Sequence, residues 1–148
     1  MSNKKVRSTK SLHGPGIDLD FSTSPKVYEF LRSNKFVRGL MGPVGSGKSY
    51  ACAAEVMMRA VRQKPSPQDG IRYTRFVIVR NSYPELKTTT IKTWQELFPE
   101  NTFGPMLYTP PITHHIRLPS RGDAAGIDCE VIFLALDQPK DVRKLLSL

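Results

Sequence analysis

Cysteine is scarce in this sequence, with two residues in 148, Cys52 and Cys129. Both sit inside apolar runs and read as buried thiols, which argues against a disulfide framework and suits a reducing compartment. Long hydrophobic runs are missing as well. Nothing approaches the roughly 18 consecutive apolar residues that a membrane span needs. The basic N-terminus is followed by no apolar core segment, so it does not read as a secretory signal. Acid is in deficit: 13 Asp+Glu stand against 22 Lys+Arg, a net +9. That surplus favours a polyanionic partner such as nucleic acid, although charge speaks to association and not to fold. No internal repeat is present. What remains is 39% hydrophobic and 24% charged, which is material for one modest core and about one domain.

Residues 1–24 read as a flexible basic arm: Lys4, Lys5, Arg7 and Lys10 have no compensating acid, and Gly14, Pro15 and Gly16 punctuate the stretch. From residue 25 to 148 the pattern is that of an α/β domain. Ser24 as cap, Pro25 at the first helical position, and Val27, Phe30 and Leu31 on one face predict a short helix. Phe36–Met41 reads as a short strand. A helix over 48–62, apolar on most sides, follows, as expected for one packed against a sheet. After the loop 64–70, Arg75–Arg80 reads as a strand buried on both faces of a parallel sheet. Residues 84–98 read as helical, with the triple threonine 88–90 as a weak point. Ile112–Leu118 and Cys129–Leu136 are joined by a turn-rich connection too short for a crossover helix, which predicts an antiparallel hairpin. Residues 138–148 begin a helix or turn.

The chemistry is carried by Gly42-Pro43-Val44-Gly45-Ser46-Gly47-Lys48-Ser49, a full match to G-x-x-x-x-G-K-[ST] with an expected strand before it and a helix after it. Glycines at 42, 45 and 47 let the backbone curl into an anion-binding nest, and the helix N-terminus adds its partial positive charge. Lys48 is placed to reach the β- and γ-phosphates, and the Ser49 hydroxyl to join the shell of a Mg²⁺ ion. Tyr50 completes the stretch expected to contact nucleotide. The guanine signature N-K-x-D is absent downstream; the pair Asn34-Lys35 precedes the loop and continues Phe36-Val37, and Asn3-Lys4 lies further upstream still. ATP is therefore the expected nucleotide.

Hydrolysis also needs an acid at the end of a neighbouring strand and usually a glutamate beside it. Asp137, after Val131–Leu136, fits the text of that pattern as a magnesium-side acid. Its strand pairs in a hairpin, however, whereas the metal-binding strand should be a central parallel one beside the P-loop strand. Gln138, moreover, cannot act as a base, so the catalytic set reads as incomplete.

Three segments together resemble the ATPase half of the large terminase subunit, the DNA-packaging motor of tailed double-stranded DNA phages. They are Phe36–Ser49, Val79–Trp94 (with Arg80-Asn81-Ser82-Tyr83-Pro84-Glu85-Leu86-Lys87-Thr88-Thr89-Thr90 at its centre) and Phe133–Leu148. The resemblance implies a P-loop NTPase core of the ASCE type: a parallel sheet with helices on both faces and an antiparallel hairpin insert. It also implies that the metal-binding acid and catalytic glutamate lie past Leu148, so that the chain is the N-terminal part of a longer ATPase with a nuclease domain further on. ATP and Mg²⁺ are the implied cofactors. The implied partners are double-stranded DNA, the portal of a procapsid, a small terminase subunit and further copies in a ring, all in the host cytoplasm. The alternatives are another DNA-dependent P-loop motor, such as a helicase or recombination ATPase, or a module that binds nucleotide or DNA without hydrolysis.

Among the arginines, Arg80 follows a strand at the sheet's carboxyl edge and is a candidate γ-phosphate sensor. Arg143 is the candidate arginine finger, with Arg38 and Arg80 as rivals. His114 and His115 alternate to opposite faces of a strand and cannot share one metal. Trp94, at helical spacing from Leu97 and Phe98, reads as core.

Overall fold

The computed structural model describes residues 11–14, 17–20, 24–137, 141 and 143. Within the stretch read as a flexible arm, β1 (Ser11–Gly14) and β2 (Ile17–Asp20) pair as an antiparallel ribbon; its other residues up to 23 lie outside the described set. α1 (Pro25–Arg32) starts with Pro25, whose fixed φ suits the first turn, and buries Val27 and Leu31. Ser24 stands at the N-cap position, but its side chain makes no capping bond.

α2 (Lys48–Arg62) follows from its composition. Four alanines, Ala51, Ala53, Ala54 and Ala60, favour helix, and no proline or glycine interrupts. Ala53, Met57 and Ala60 recur at helical spacing and turn one stripe to the main core, while Ala51 packs with Val27 and Leu31 of α1. Cys52, expected to be buried, is exposed on α2, and Cys129 is buried in the sheet. The helix is apolar around much of its girth, but position 52 falls between its two packed stripes.

β3 (Arg72–Arg80), β4 (Met106–Leu107), β5 (Ile112–Leu118) and β6 (Ile127–Ala135) form one sheet in the order β3-β6-β5-β4. The sheet is mixed, not parallel: β3 and β6 run parallel, whereas β6 with β5 and β5 with β4 are antiparallel. The expected hairpin is therefore present, and its second strand also makes the parallel contact. Between β3 and β4 lie α3 (Tyr83–Glu85), a π-helical segment Leu86–Ile91, α4 (Lys92–Leu97) and α5 (Glu100–Phe103).

One face of this sheet carries the core. Phe76 and Ile78 of β3, Ile127, Cys129, Val131 and Phe133 of β6, and Ile112 and Ile116 of β5 meet α2 and the 86–98 helical stretch there. Helices were expected on both faces; among the described residues this core places them on one. On the other face Tyr73, Arg75, Val77 and Val79 of β3 are exposed. β3 is thus an edge strand, with β6 its only strand partner among the described residues, and it is buried on one face and not on both, because the core helices pack over the Phe76 and Ile78 side.

The Phe36–Met41 strand does not form. Phe36, Val37 and Met41 are exposed, and among the described residues no strand pairs with the segment. A strand needs a neighbour for its backbone groups; here Arg38 instead anchors the segment to the helices. Its Nη1 donates to the Phe30 carbonyl at 3.0 Å and its Nη2 to Glu55 Oε1 at 2.5 Å, and the guanidinium lies over the Phe30 ring. Arg59 donates to the same Glu55 oxygen at 2.5 Å and to the Ser33 carbonyl at 2.7 Å.

Trp94 is core, as its spacing suggested. It packs on Phe98 and edge-on to Phe133, with ring centroids 4.3 and 5.6 Å apart. Its indole N–H donates to His114 Nδ1 at 2.9 Å, and His114 Nε2 lies 3.0 Å from the Gly104 carbonyl. An accepting Nδ1 and a donating Nε2–H define a neutral imidazole. Burial pushes the His114 pKa below its ordinary value, outweighing the Gly104 bond and the Glu100 charge that oppose the shift. His115 points to the other face and lies 2.5 Å from Asp128 Oδ1. Below the unfolded pKa of about 6.5, the unfolded chain binds a proton that the folded chain refuses. The His114 contribution is therefore fully present above about pH 6.5 and lost as pH falls below it, by at most about 1.4 kcal/mol per pH unit. Urea melts followed by Trp94 fluorescence between pH 5 and 8 should show this slope, and His114→Gln should flatten it.

Candidate functional site

The sequence from Gly42 to Ser49 forms a tight turn that enters α2 at Lys48. Gly45 and Gly47 hold φ of 80° and 76°, in the left-handed region that a Cβ penalises. Gly47 is itself the residue that caps α2. Gly42 answers a different demand: a Cβ there would come within 2.9 Å of Ser46 Oγ. The curl is held by Ser46 N–H donating to the Pro43 carbonyl at 3.3 Å. Val44, at the tip, is fully exposed. The loop and the helix take the expected form, while the strand expected before them does not.

Lys48 folds back over this turn. Its Nζ donates to the carbonyls of Gly42 at 2.7 Å and Pro43 at 2.6 Å, and lies 3.1 Å from Ser46 Oγ. The ammonium thus sits against the loop's own acceptors at the N-terminus of a 15-residue helix, where the peptide dipoles already favour an anion.

Beside the loop, a cavity of about 170 Å³ is lined by Ser49, Ala53, Ile78, Val79, Arg80, Thr90 and Thr93. α2 contributes Ser49, the end of β3 contributes Arg80, and the helical stretch after β3 contributes the threonines. Arg80 is at the sheet's carboxyl edge as expected, with Nε donating to Thr90 Oγ1 at 2.8 Å and Nη2 to Thr89 Oγ1 at 3.2 Å. At the same edge Leu136 N–H donates to the Arg80 carbonyl at 2.9 Å, extending the parallel ladder by one bond.

Asp137 follows at this edge. Its strand β6 pairs in the expected hairpin with β5 and also runs parallel to β3; among the described residues no strand leading into the glycine-rich turn lies beside it, so that part of the objection to Asp137 stands. The residue is exposed, and its Oδ1 accepts from the Tyr83 N–H at 3.1 Å. The carboxylate thereby joins the end of β6 to the start of α3.

The other expected site residues do not converge here. Tyr50 donates its hydroxyl proton to Glu96 on α4, a bond that raises the phenol's pKa. Arg38 is committed to Glu55 and Phe30. Arg143 is exposed, and 138–140, 142 and 144–148 lie outside the described residues, as does the helix or turn expected there. Among the described residues no cluster of three His, Cys, Asp or Glu could hold a metal ion. No helix there is long and apolar enough to cross a membrane.

Sequence reasoning missed the threonine wall, because three consecutive β-branched residues signalled only a poor helix. It also missed Glu55, whose signal was faint: one acid in an apolar helix, four residues before Arg59. Comparisons with protein-family models, curated proteins and solved structures find no match to this chain.

Backbone conformation should decide the response of the loop to substitution. Gly47→Ala should cost about 1–2 kcal/mol in a denaturant melt because of its positive φ. Gly39→Ala should be within about 0.5 kcal/mol of the parent, since no atom lies within 4 Å of its added Cβ and its φ is ordinary.

Proposed function

We propose that the chain is a P-loop NTPase core and the ATP-binding part of a viral DNA-packaging motor of the large terminase type. The observation that carries the nucleotide reading is the 42–49 turn: two left-handed glycines, a close approach at Gly42 and an ammonium group, all at the mouth of α2. Such a turn favours an anion for two additive reasons, orphan backbone N–H groups and the helix dipole. The donor set fits a triphosphate. Gly42, Pro43, Val44, Gly45, Ser46 and Gly47 would supply backbone contacts, Lys48 would turn from the loop carbonyls to phosphate oxygens, and Ser49 would offer its hydroxyl to Mg²⁺. Bound Mg²⁺ would neutralise charge on the phosphates. Asp137, at the end of β6, would hold one of the metal's waters once it releases Tyr83.

The packaging part of the reading rests on the resemblance of Phe36–Ser49, Val79–Trp94 and Phe133–Leu148, together with the net charge of +9. Double-stranded DNA, a portal-bearing procapsid, a small terminase subunit and further copies in a ring are the partners it implies. Contacts of Lys and Arg with phosphate would make DNA binding fall steeply with salt.

A second reading, a nucleotide-binding module that hydrolyses nothing, draws on a specific observation. Asp137 is engaged with Tyr83, and the residue beside it is Gln138, which cannot serve as a base. Another DNA-dependent motor, helicase-like or recombinational, would be told apart by strand unwinding without a procapsid.

Titration with a fluorescent ATP analogue and Mg²⁺ tests the first step. Binding in the micromolar range that Lys48→Ala weakens at least tenfold supports the reading; binding indifferent to Lys48 overturns it. Turnover by the 148-residue chain is expected to be slow, within about tenfold of a Lys48→Ala control. Brisk Lys48-dependent hydrolysis would show that the chain holds its own base and would return Asp137 to the catalytic set.

A further inference from the structure

Arg80 is held beside a cavity by neutral acceptors. Its two acceptors, Thr90 Oγ1 at 2.8 Å and Thr89 Oγ1 at 3.2 Å, are neutral hydroxyls. Among the described residues no carboxylate pairs with it, although Arg38, Arg59, Arg75 and Arg117 all have one. The Thr89 hydroxyl passes its own proton to the Glu85 carbonyl at 2.7 Å, so its lone pair is free to face the guanidinium. Thr88 donates likewise to the Pro84 carbonyl at 2.8 Å. Both acceptors belong to Leu86–Ile91, a π-helical segment. Such segments are rare, and where they occur they often mark functional sites. The Arg80 side chain and Ser49 line the same cavity of about 170 Å³, room for several waters.

We propose that Thr89 and Thr90 are a parking clasp for Arg80, which leaves them for the terminal phosphate when a nucleoside triphosphate is bound. The inference rests on the nucleotide reading above and adds to it a discrimination between triphosphate and diphosphate. A phosphate offers the guanidinium fork a full opposite charge and paired oxygens, whereas the clasp offers two neutral hydroxyls, so the γ-phosphate outcompetes the clasp. A diphosphate carries no group at that position, and Arg80 stays with the threonines. The clasp also links the exchange to the helical stretch. α4 follows the π-helical segment directly, buries Trp94 in the core and holds Tyr50 of α2 through Glu96. Arg80 is then the group that touches the phosphate, and the threonines are positioning residues.

The test compares two ligands, a non-hydrolysable fluorescent ATP analogue and the matching ADP analogue, each with Mg²⁺. Thr89→Val/Thr90→Val keeps shape and removes both acceptors; it should tighten the triphosphate about three- to tenfold and leave the diphosphate unchanged. Arg80→Gln should weaken the triphosphate about tenfold, again without effect on the diphosphate. Thr89→Ser/Thr90→Ser, which restores the hydroxyls, should match the parent. If the double valine variant does not melt cooperatively, Thr90→Val alone removes the shorter bond and gives the same comparison at smaller amplitude. Equal shifts for both ligands, or no shift in either variant, overturn the clasp while leaving nucleotide binding intact. Failure of the parent chain to bind either ligand overturns the nucleotide reading and the clasp with it.

Discussion

The close packing of α2 on one face of the sheet sets everything else in place. Ala53, Met57 and Ala60 form the contact stripe, and two of the three are alanines, so the helix axis can approach the strands. That approach fixes the position of α2's first turn relative to the end of β3, and so brings Ser49 and Arg80 to one cavity. The opposite side of the same helix carries Ala51 to α1 and Glu55 to Arg38 and Arg59. One helix therefore positions the glycine-rich turn, the segment that leads into it, and the sheet edge that it faces. Removing the Glu55 carboxylate would leave two partly buried guanidinium groups without their counter-charge, and buried pairs broken in that way are costly.

Much of the fold was legible in the sequence wherever local chemistry decides structure. α1 and α2 begin at Pro25 and Lys48, where a proline and a glycine-to-lysine transition place them, and β5 and β6 were set by a connection too short for a helix. Trp94 and the two histidines went where their spacing put them. The glycine-rich turn was legible for the strongest reason, since positive φ at positions 45 and 47 is something few residues other than glycine accept.

What the sequence did not reveal depends on partners distant along the chain. Phe36–Met41 has the composition of a strand, but strand formation is a property of pairs, and Arg38 found Glu55 17 residues away. Phe76-Val77-Ile78-Val79 looks buried on both sides, yet burial of each face depends on what packs over it, which the strand's own residues cannot encode. The parallel contact of β6 with β3 was likewise hidden, since only its hairpin with β5 is set by a short connection. The threonines at 88–90 were read through helix propensity alone, and their hydroxyls gained a purpose only once β3 had delivered Arg80 beside them.

The two thiols of the chain are unequal, with Cys129 sealed between β3 and β5 inside the sheet and Cys52 open to solvent one turn into α2. A maleimide dye would therefore attach at a single known address without any engineering of the polypeptide. That address lies on the very helix whose first residues belong to the glycine-rich turn, so the native chain already carries a built-in mounting point for an optical reporter of events there.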